Sequence, residues 1–221
     1  MVQGAKSVQE LLASDFEVVT LLGTPDFLIS AKVNANIEVI EVSERELSGL
    51  SEYQSNDSAF AIARMKPEHA FEVGKNEYVI VLDDIRDPGN LGTIIRTADW
   101  YGISKIVASE ETADFYNAKV ISATMGSFTR MDIRYTDLAS YLKGVRLKVY
   151  GAFLDGQSVH TTDFATGGFL LIGNESRGIS SQLERLVTDR ITIPRYGKAE
   201  SLNAAIATAV ICDVIRTKQK A

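Results

Sequence analysis

The sequence predicts a parallel, doubly wound α/β domain preceded by a smaller α/β unit. Two observations predict it. From Tyr78 onward, short apolar runs alternate with helical segments, the order that builds a parallel sheet covered by helices. Those runs, "YVIVLD", "KIVAS", "LKVYGAFL", "GFLLIG" and "RITIP", are continuously apolar rather than alternating, as strands buried on both faces should be.

The first unit spans residues 1–70. "SVQELLAS" has a helical pattern, while "EVVTLLGT", "IEVIEV" and "AFAIARM" are short strand-like runs. "SERELSGLSEYQ" opens with Ser43 and Glu46 at capping-box spacing, which predicts a short helix. A helix starting near residue 5 is an abrupt opening, so further residues are expected ahead of this unit. The polar stretch "KPEHAFEVGKNE" reads as a linker. The second unit, 78–221, places helices over 91–101, 114–124, 180–187 and 201–216 between its strands.

A chain of 221 residues holds one large domain or a small and a medium one, and its 45% hydrophobic content suits a buried core. No apolar run approaches the roughly 20 residues that span a bilayer. The opening "MVQGAKSVQE" lacks the layout of a secretory signal. The single cysteine, Cys212, lies in an apolar helical pattern, so no internal disulfide can form. Together these predict a soluble cytoplasmic protein. With only His69, His160 and Cys212, the chain is poorly equipped for a zinc site or a Cys–His couple. The net charge of −6 argues mildly against nucleic acid, although the placement of charge matters more than its total. An enzyme with these residues works by positioning and electrostatics.

In open parallel sheets ligands bind beyond the carboxyl ends of the strands. Three loops there combine glycine with hydrogen-bonding side chains: 83–90, "GNESRGIS" at 173–180 and "PRYGKAESLN" at 194–203. Gly89, Gly173, Gly178 and Gly197 allow close backbone approach or positive φ. Asn90 and Ser201 are expected as helix N-caps and Asp87-Pro88-Gly89 as a turn. Asp83, Asp84 and Asp87 fit turn chemistry better than a metal site. Neither G-x-G-x-x-G nor GxxxxGK[ST] is present, which disfavours dinucleotide and P-loop chemistry. On the helix 91–101, Leu91, Ile94, Ile95 and Ala98 share one face while Arg96 points well off it. Trp100 follows one turn later on the same side, placed for a subunit interface, core packing or stacking on the guanidinium.

"DPGNLGTIIRTADWYG", "LIGNESRGIS" and "ITIPRYGKAESLNAAIATAV" resemble, in order, the three motifs of the SpoU/TrmH family of SPOUT RNA 2′-O-ribose methyltransferases. The resemblance covers roughly 78–216, and residues 1–70 resemble, more weakly, that family's ribosomal-protein-like substrate-binding domain. It implies a trefoil-knotted catalytic domain, a homodimer, S-adenosyl-L-methionine as cofactor, tRNA or rRNA as substrate, and no required metal. It further implies that Gly173, Asn174, Ile193, Gly197 and Leu202 contact the cofactor. Arg96 is implied as the catalytic residue beside the ribose hydroxyl, with Asn90, Glu175, Ser201 and Asn203 organising the pocket and an RNA phosphate. Arg177 is a candidate phosphate contact. The sequence departs from the family at Ala118, where proline is frequent, and at Ser122, where arginine is frequent, so an RNA-facing charge is missing there. The rival readings are a non-catalytic RNA-binding protein of the same fold and a base methyltransferase.

Overall fold

The structure, a computed structural model, describes residues 1–50 and 58–219. The first unit runs β1 (Val2–Gln3), α1 (Ala5–Leu12), β2 (Val18–Gly23), α2 (Pro25–Ser30), β3 (Glu38–Glu41), α3 (Glu44–Leu50) and β4 (Ala59–Ala63). Its four strands order as β1-β4-β2-β3, with β2 antiparallel to β4 and parallel to β3. The expected capping box forms. The Ser43 N–H donates to Glu46 Oε2 at 2.8 Å, and the Glu46 N–H donates back to Ser43 Oγ at 3.3 Å. The end of the expected helical segment, 51–54, lies outside the described residues. α2 was not anticipated, although Thr24 caps it and Pro25 stands at its first turn.

The second unit continues with β5 (Tyr78–Asp83), α4 (Pro88–Trp100), β6 (Lys105–Ala108), α5 (Ala118–Thr124), β7 (Asp132–Tyr135) and α6 (Leu138–Lys143). It closes with β8 (Val149–Ser158), β9 (Gly168–Gly173), α7 (Ser181–Glu184), β10 (Asp189–Thr192) and α8 (Ala204–Gln219). The sheet order is β10-β8-β9-β5-β6-β7, and every pairing is parallel. β5 is buried at all six positions because alternate residues feed opposite cores. Ile80 and Leu82 pack under one layer, Val79 and Val81 under the other. Removing each such side chain from water is worth about 1.5–3 kcal/mol, which is why these strands read as unbroken apolar runs. β7 and α6 escaped the sequence reading because "DIRY" is only half buried and α6 spans six residues.

α4 starts earlier than expected. Asp87 is its N-cap, accepting the Asn90 N–H at 2.8 Å, and Pro88 takes the first helical position. The turn expected over 87–89 is therefore helix, because proline's fixed φ and missing N–H suit that first turn. Asn90 sits one turn inside. α4 packs tightly on α5 at Gly92, where a Cβ would lie 2.5 Å from the Ala123 Cβ and 2.8 Å from the Val120 carbonyl oxygen. Gly92→Ala is expected to destabilise the fold by about 1–3 kcal/mol, read as a lower urea midpoint at unchanged slope.

The two sheets share one hydrophobic cluster, in which Val2, Leu11 and Val18 join Phe128 and Met131. Phe16 meets Phe128 edge to face at 5.6 Å between centroids. Above them Arg130 donates to Glu10 of α1 at 2.5 Å and to Asp99 of α4 at 2.8 Å. Burial pushes the Asp99 carboxyl up, but hydrogen bonds from the Arg130 guanidinium and the Ser127 hydroxyl outweigh it and hold the group below its ordinary 3.8. This contact therefore stabilises the fold fully above about pH 4 and weakens as pH falls through that lowered value.

Candidate active site

The strand order reverses between β5 and β9, whose last residues, Asp83 and Gly173, are paired in register. That reversal point at the carboxyl edge is where a parallel sheet opens a crevice. Both carboxylates that end β5 are used to build it. Asp83 is buried, and its Oδ2 accepts the Ser180 N–H at 2.7 Å. Asp84 adopts φ +62°, a left-handed conformation that Asp and Asn reach more easily than other side-chain-bearing residues. Its N–H donates to Ser109 Oγ at 3.0 Å, and its carbonyl accepts Asn174 Nδ2 at 2.8 Å. Two strand ends and the following turn are thus fastened together.

The 173–178 segment is a tight turn. The Gly178 N–H donates to the Asn174 carbonyl at 2.8 Å, and Asn174 Oδ1 accepts the N–H groups of Ser176 and Arg177. Gly178 takes φ +69°, as expected, whereas Gly89, Gly173 and Gly197 do not use positive φ. Gly173 serves close approach instead. A Cβ there would stand 2.3 Å from the Gly178 carbonyl carbon and the Ile179 nitrogen.

This geometry presents Glu175 to α4. Glu175 Oε1 accepts Asn90 Nδ2 at 2.5 Å, and Asn90 Oδ1 in turn accepts Asn203 Nδ2 at 2.8 Å. One amide therefore joins the three loops, with its donor and acceptor ends both engaged. Asn203, not Ser201, caps the last helix. Its Oδ1 accepts the N–H groups of Ala205 and Ile206, and α8 begins at Ala204. An amide oxygen two residues further on displaces the serine from the expected capping role.

Beside this bridge lies a cleft of about 900 Å³. Gly173, Asn174, Ile193, Gly197 and Leu202 all line it, together with Glu175, Ser201 and Arg177. Asn90 and Asn203 stand behind its wall, joined to it through Glu175. Arg96 does not line the cleft. It lies six residues beyond Asn90, about 9 Å along the helix axis, exposed and without a hydrogen-bond or ion-pair partner among the described residues. Trp100, one turn further, is 83% exposed, which excludes core packing within this chain.

The sequence reading missed a fourth wall. Phe153, Leu154 and Asp155, in the middle of β8, also line the cleft, with Arg190 and Glu184. The Arg190 guanidinium lies 3.7 Å from the Phe153 ring centroid and pairs with Asp155 and Glu184. The signal was present as Phe-Leu-Asp-Gly within a strand, where Gly156 takes φ +147°. Cys212 is fully buried, and burial pushes its thiol up to about 12, leaving it no part as a nucleophile. Among the described residues no group of side chains is arranged to hold a metal ion, and no helix is long and apolar enough to cross a membrane.

A backbone-lined cleft at the switch point of an all-parallel sheet, with polar side chains gathered on one rim, defines a ligand-binding α/β protein. Comparison with known proteins narrows this. Residues 77–213 match the SpoU rRNA Methylase family, and the chain belongs to it. It is 32% identical over 215 residues to the 23S rRNA (guanosine(2553)-2′-O)-methyltransferase RlmP of Bacillus subtilis, covering 96% of this chain and 86% of that protein. Among solved structures it resembles a TrmH-family protein from Porphyromonas gingivalis, with TM-score 0.86 and 35% identity, covering 98% of this chain and 89% of that one. It also resembles the AdoMet-bound rRNA methyltransferase of Sinorhizobium meliloti, with TM-score 0.86 and 32% identity, covering 98% and 86%.

Proposed function

We propose that the protein transfers a methyl group from S-adenosylmethionine to a ribose 2′-hydroxyl of ribosomal RNA, in the cytoplasm. The observation that carries this reading is the Glu175–Asn90–Asn203 bridge, which ties three separate loops into one rim beside the cleft. The names of the B. subtilis and S. meliloti relatives supply the chemistry and the cofactor. The cleft fits that cofactor in size and lining, with Gly173, Asn174, Ile193, Gly197 and Leu202 as its contacts. When bound, S-adenosylmethionine supplies a methyl group activated by a positively charged sulfur.

The residues of the chain then have two tasks. The first is alignment, which for well-oriented reactants contributes about 7–11 kcal/mol. Glu175, Asn90 and Asn203 serve it by fixing the rim, with Ser201 on the same loop as Asn203. The second is to stabilise charge on the ribose oxygen as its proton passes to water or to an oxygen of the RNA phosphate. Arg96 does this as a cation, because a guanidinium keeps its proton in proteins and so stabilises the developing charge rather than acting as a base.

The active form in this reading is a homodimer with the knotted fold the sequence implies. Arg96 and Trp100 share one face of α4, and Ile206 on the packed neighbour α8 is 53% exposed. That apolar, arginine-bearing face is the dimer contact, and the partner's cleft is where Arg96 acts. The first unit, 1–70, grips the RNA, and 78–221 carries the chemistry. Isothermal calorimetry with S-adenosylmethionine and tritium transfer to unmodified 23S rRNA and tRNA transcripts test the reading. The expected result is saturable cofactor heat and label in alkali-stable dinucleotides of the rRNA. Absence of cofactor heat overturns it, and label in alkali-labile nucleotides moves the methyl group to a base.

A further inference from the structure

Asp84 carries a second feature that neither cofactor nor ribose requires. Its carboxylate, only 15% exposed, accepts hydrogen bonds from two guanidinium groups, Arg86 Nε at 2.5 Å and Arg177 Nη2. Both arginines reach outward, with side chains 61% and 66% exposed. A guanidinium has five N–H donors. Among the described residues, each of these side chains has one nitrogen engaged, by Asp84, so both Nη groups of Arg86 and the Nε and Nη1 of Arg177 are open to solvent. The carboxylate therefore does more than neutralise: it holds two guanidinium groups beside the cleft, the three groups together carrying one positive charge, with Glu111 also near enough to Arg86 to act on it.

The chain as a whole carries −6, so a polyanion must be captured by local charge. Paired guanidinium forks suit phosphate because each can engage two oxygens at once. The main-chain contacts of Asp84 to Ser109 and Asn174 fix the carboxylate, and so both arginines, to the strand ends that frame the reaction.

We propose that Arg86 and Arg177, spaced by Asp84, form a clamp for one backbone phosphate of the RNA near the methylated nucleotide. This rests on the RNA-methyltransferase reading above. It predicts that Asp84 competes with the phosphate while holding the clamp in place.

The test is the salt dependence of binding to an unmodified 23S rRNA transcript by the full chain. Each lost contact to a single-stranded phosphate flattens the plot of log K against log salt by about 0.7. Because one phosphate is shared, Arg86→Ala, Arg177→Ala and the double variant are each expected to flatten the slope by about that amount. The lysine variants Arg86→Lys and Arg177→Lys should keep the wild-type slope at reduced affinity. Asp84→Asn, which tolerates the same backbone conformation, should bind the transcript more tightly. Urea unfolding verifies that each variant keeps the wild-type fold. Wild-type slopes in both alanine variants overturn the clamp, as does weaker RNA binding by a folded Asp84→Asn. Failure of the wild-type protein to bind or methylate RNA overturns the underlying reading instead.

Discussion

Arg96→Ala is expected to slow methyl transfer to RNA by about 10²–10³-fold, the usual cost of removing one preorganised donor to a developing oxyanion. The effect should fall on kcat. Arg96 does not line the cofactor cleft and holds no partner among the described residues, so its removal disturbs neither cofactor binding nor folding. Calorimetry should give the same S-adenosylmethionine affinity for variant and wild type, and urea unfolding the same midpoint. Arg96→Lys keeps the charge but loses the planar fork, so an intermediate rate is expected. If Arg96→Ala methylates RNA as fast as wild type, the guanidinium has no part in the chemistry, although the family assignment stands.

Gly173→Ala should have the second largest effect, and through a different route. The added Cβ meets main-chain atoms of Gly178 and Ile179 at 2.3 Å, and neither can rotate aside. The turn must open, breaking the Asn174–Gly178 bridge and drawing Glu175 away from Asn90. Overpacking of this kind costs about 1–3 kcal/mol. Taken from cofactor binding at 1.4 kcal/mol per tenfold, that is roughly a 5- to 140-fold weaker S-adenosylmethionine affinity. Titration calorimetry reads it directly. Unchanged affinity would remove the turn from the cofactor wall.

Much of the catalytic sheet was legible because strands buried on both faces leave no ambiguity. "YVIVLD" and "GFLLIG" are apolar at nearly every position, and both became central strands. Half-buried "DIRY" and the two-residue β1 carry too few apolar side chains to stand out. Strand order was not legible, because which strand lies beside β5 is decided by long-range packing. At the site, the loops were found through their glycines and amides, and every expected cofactor contact lines one cleft. The capping roles were misjudged at both helices, by three residues at α4 and by two at α8, since Asp87 and Asn203 compete better for free N–H groups than Asn90 and Ser201. The Asp84 cross-brace was invisible because a turn aspartate and a two-arginine clamp have the same sequence appearance.

The common core beneath Phe16 and Phe128, closed over by the ion pairs of Arg130, joins the two sheets through packed side chains as well as through the chain itself. A loss of packing in that seam is therefore felt by both sheets at once.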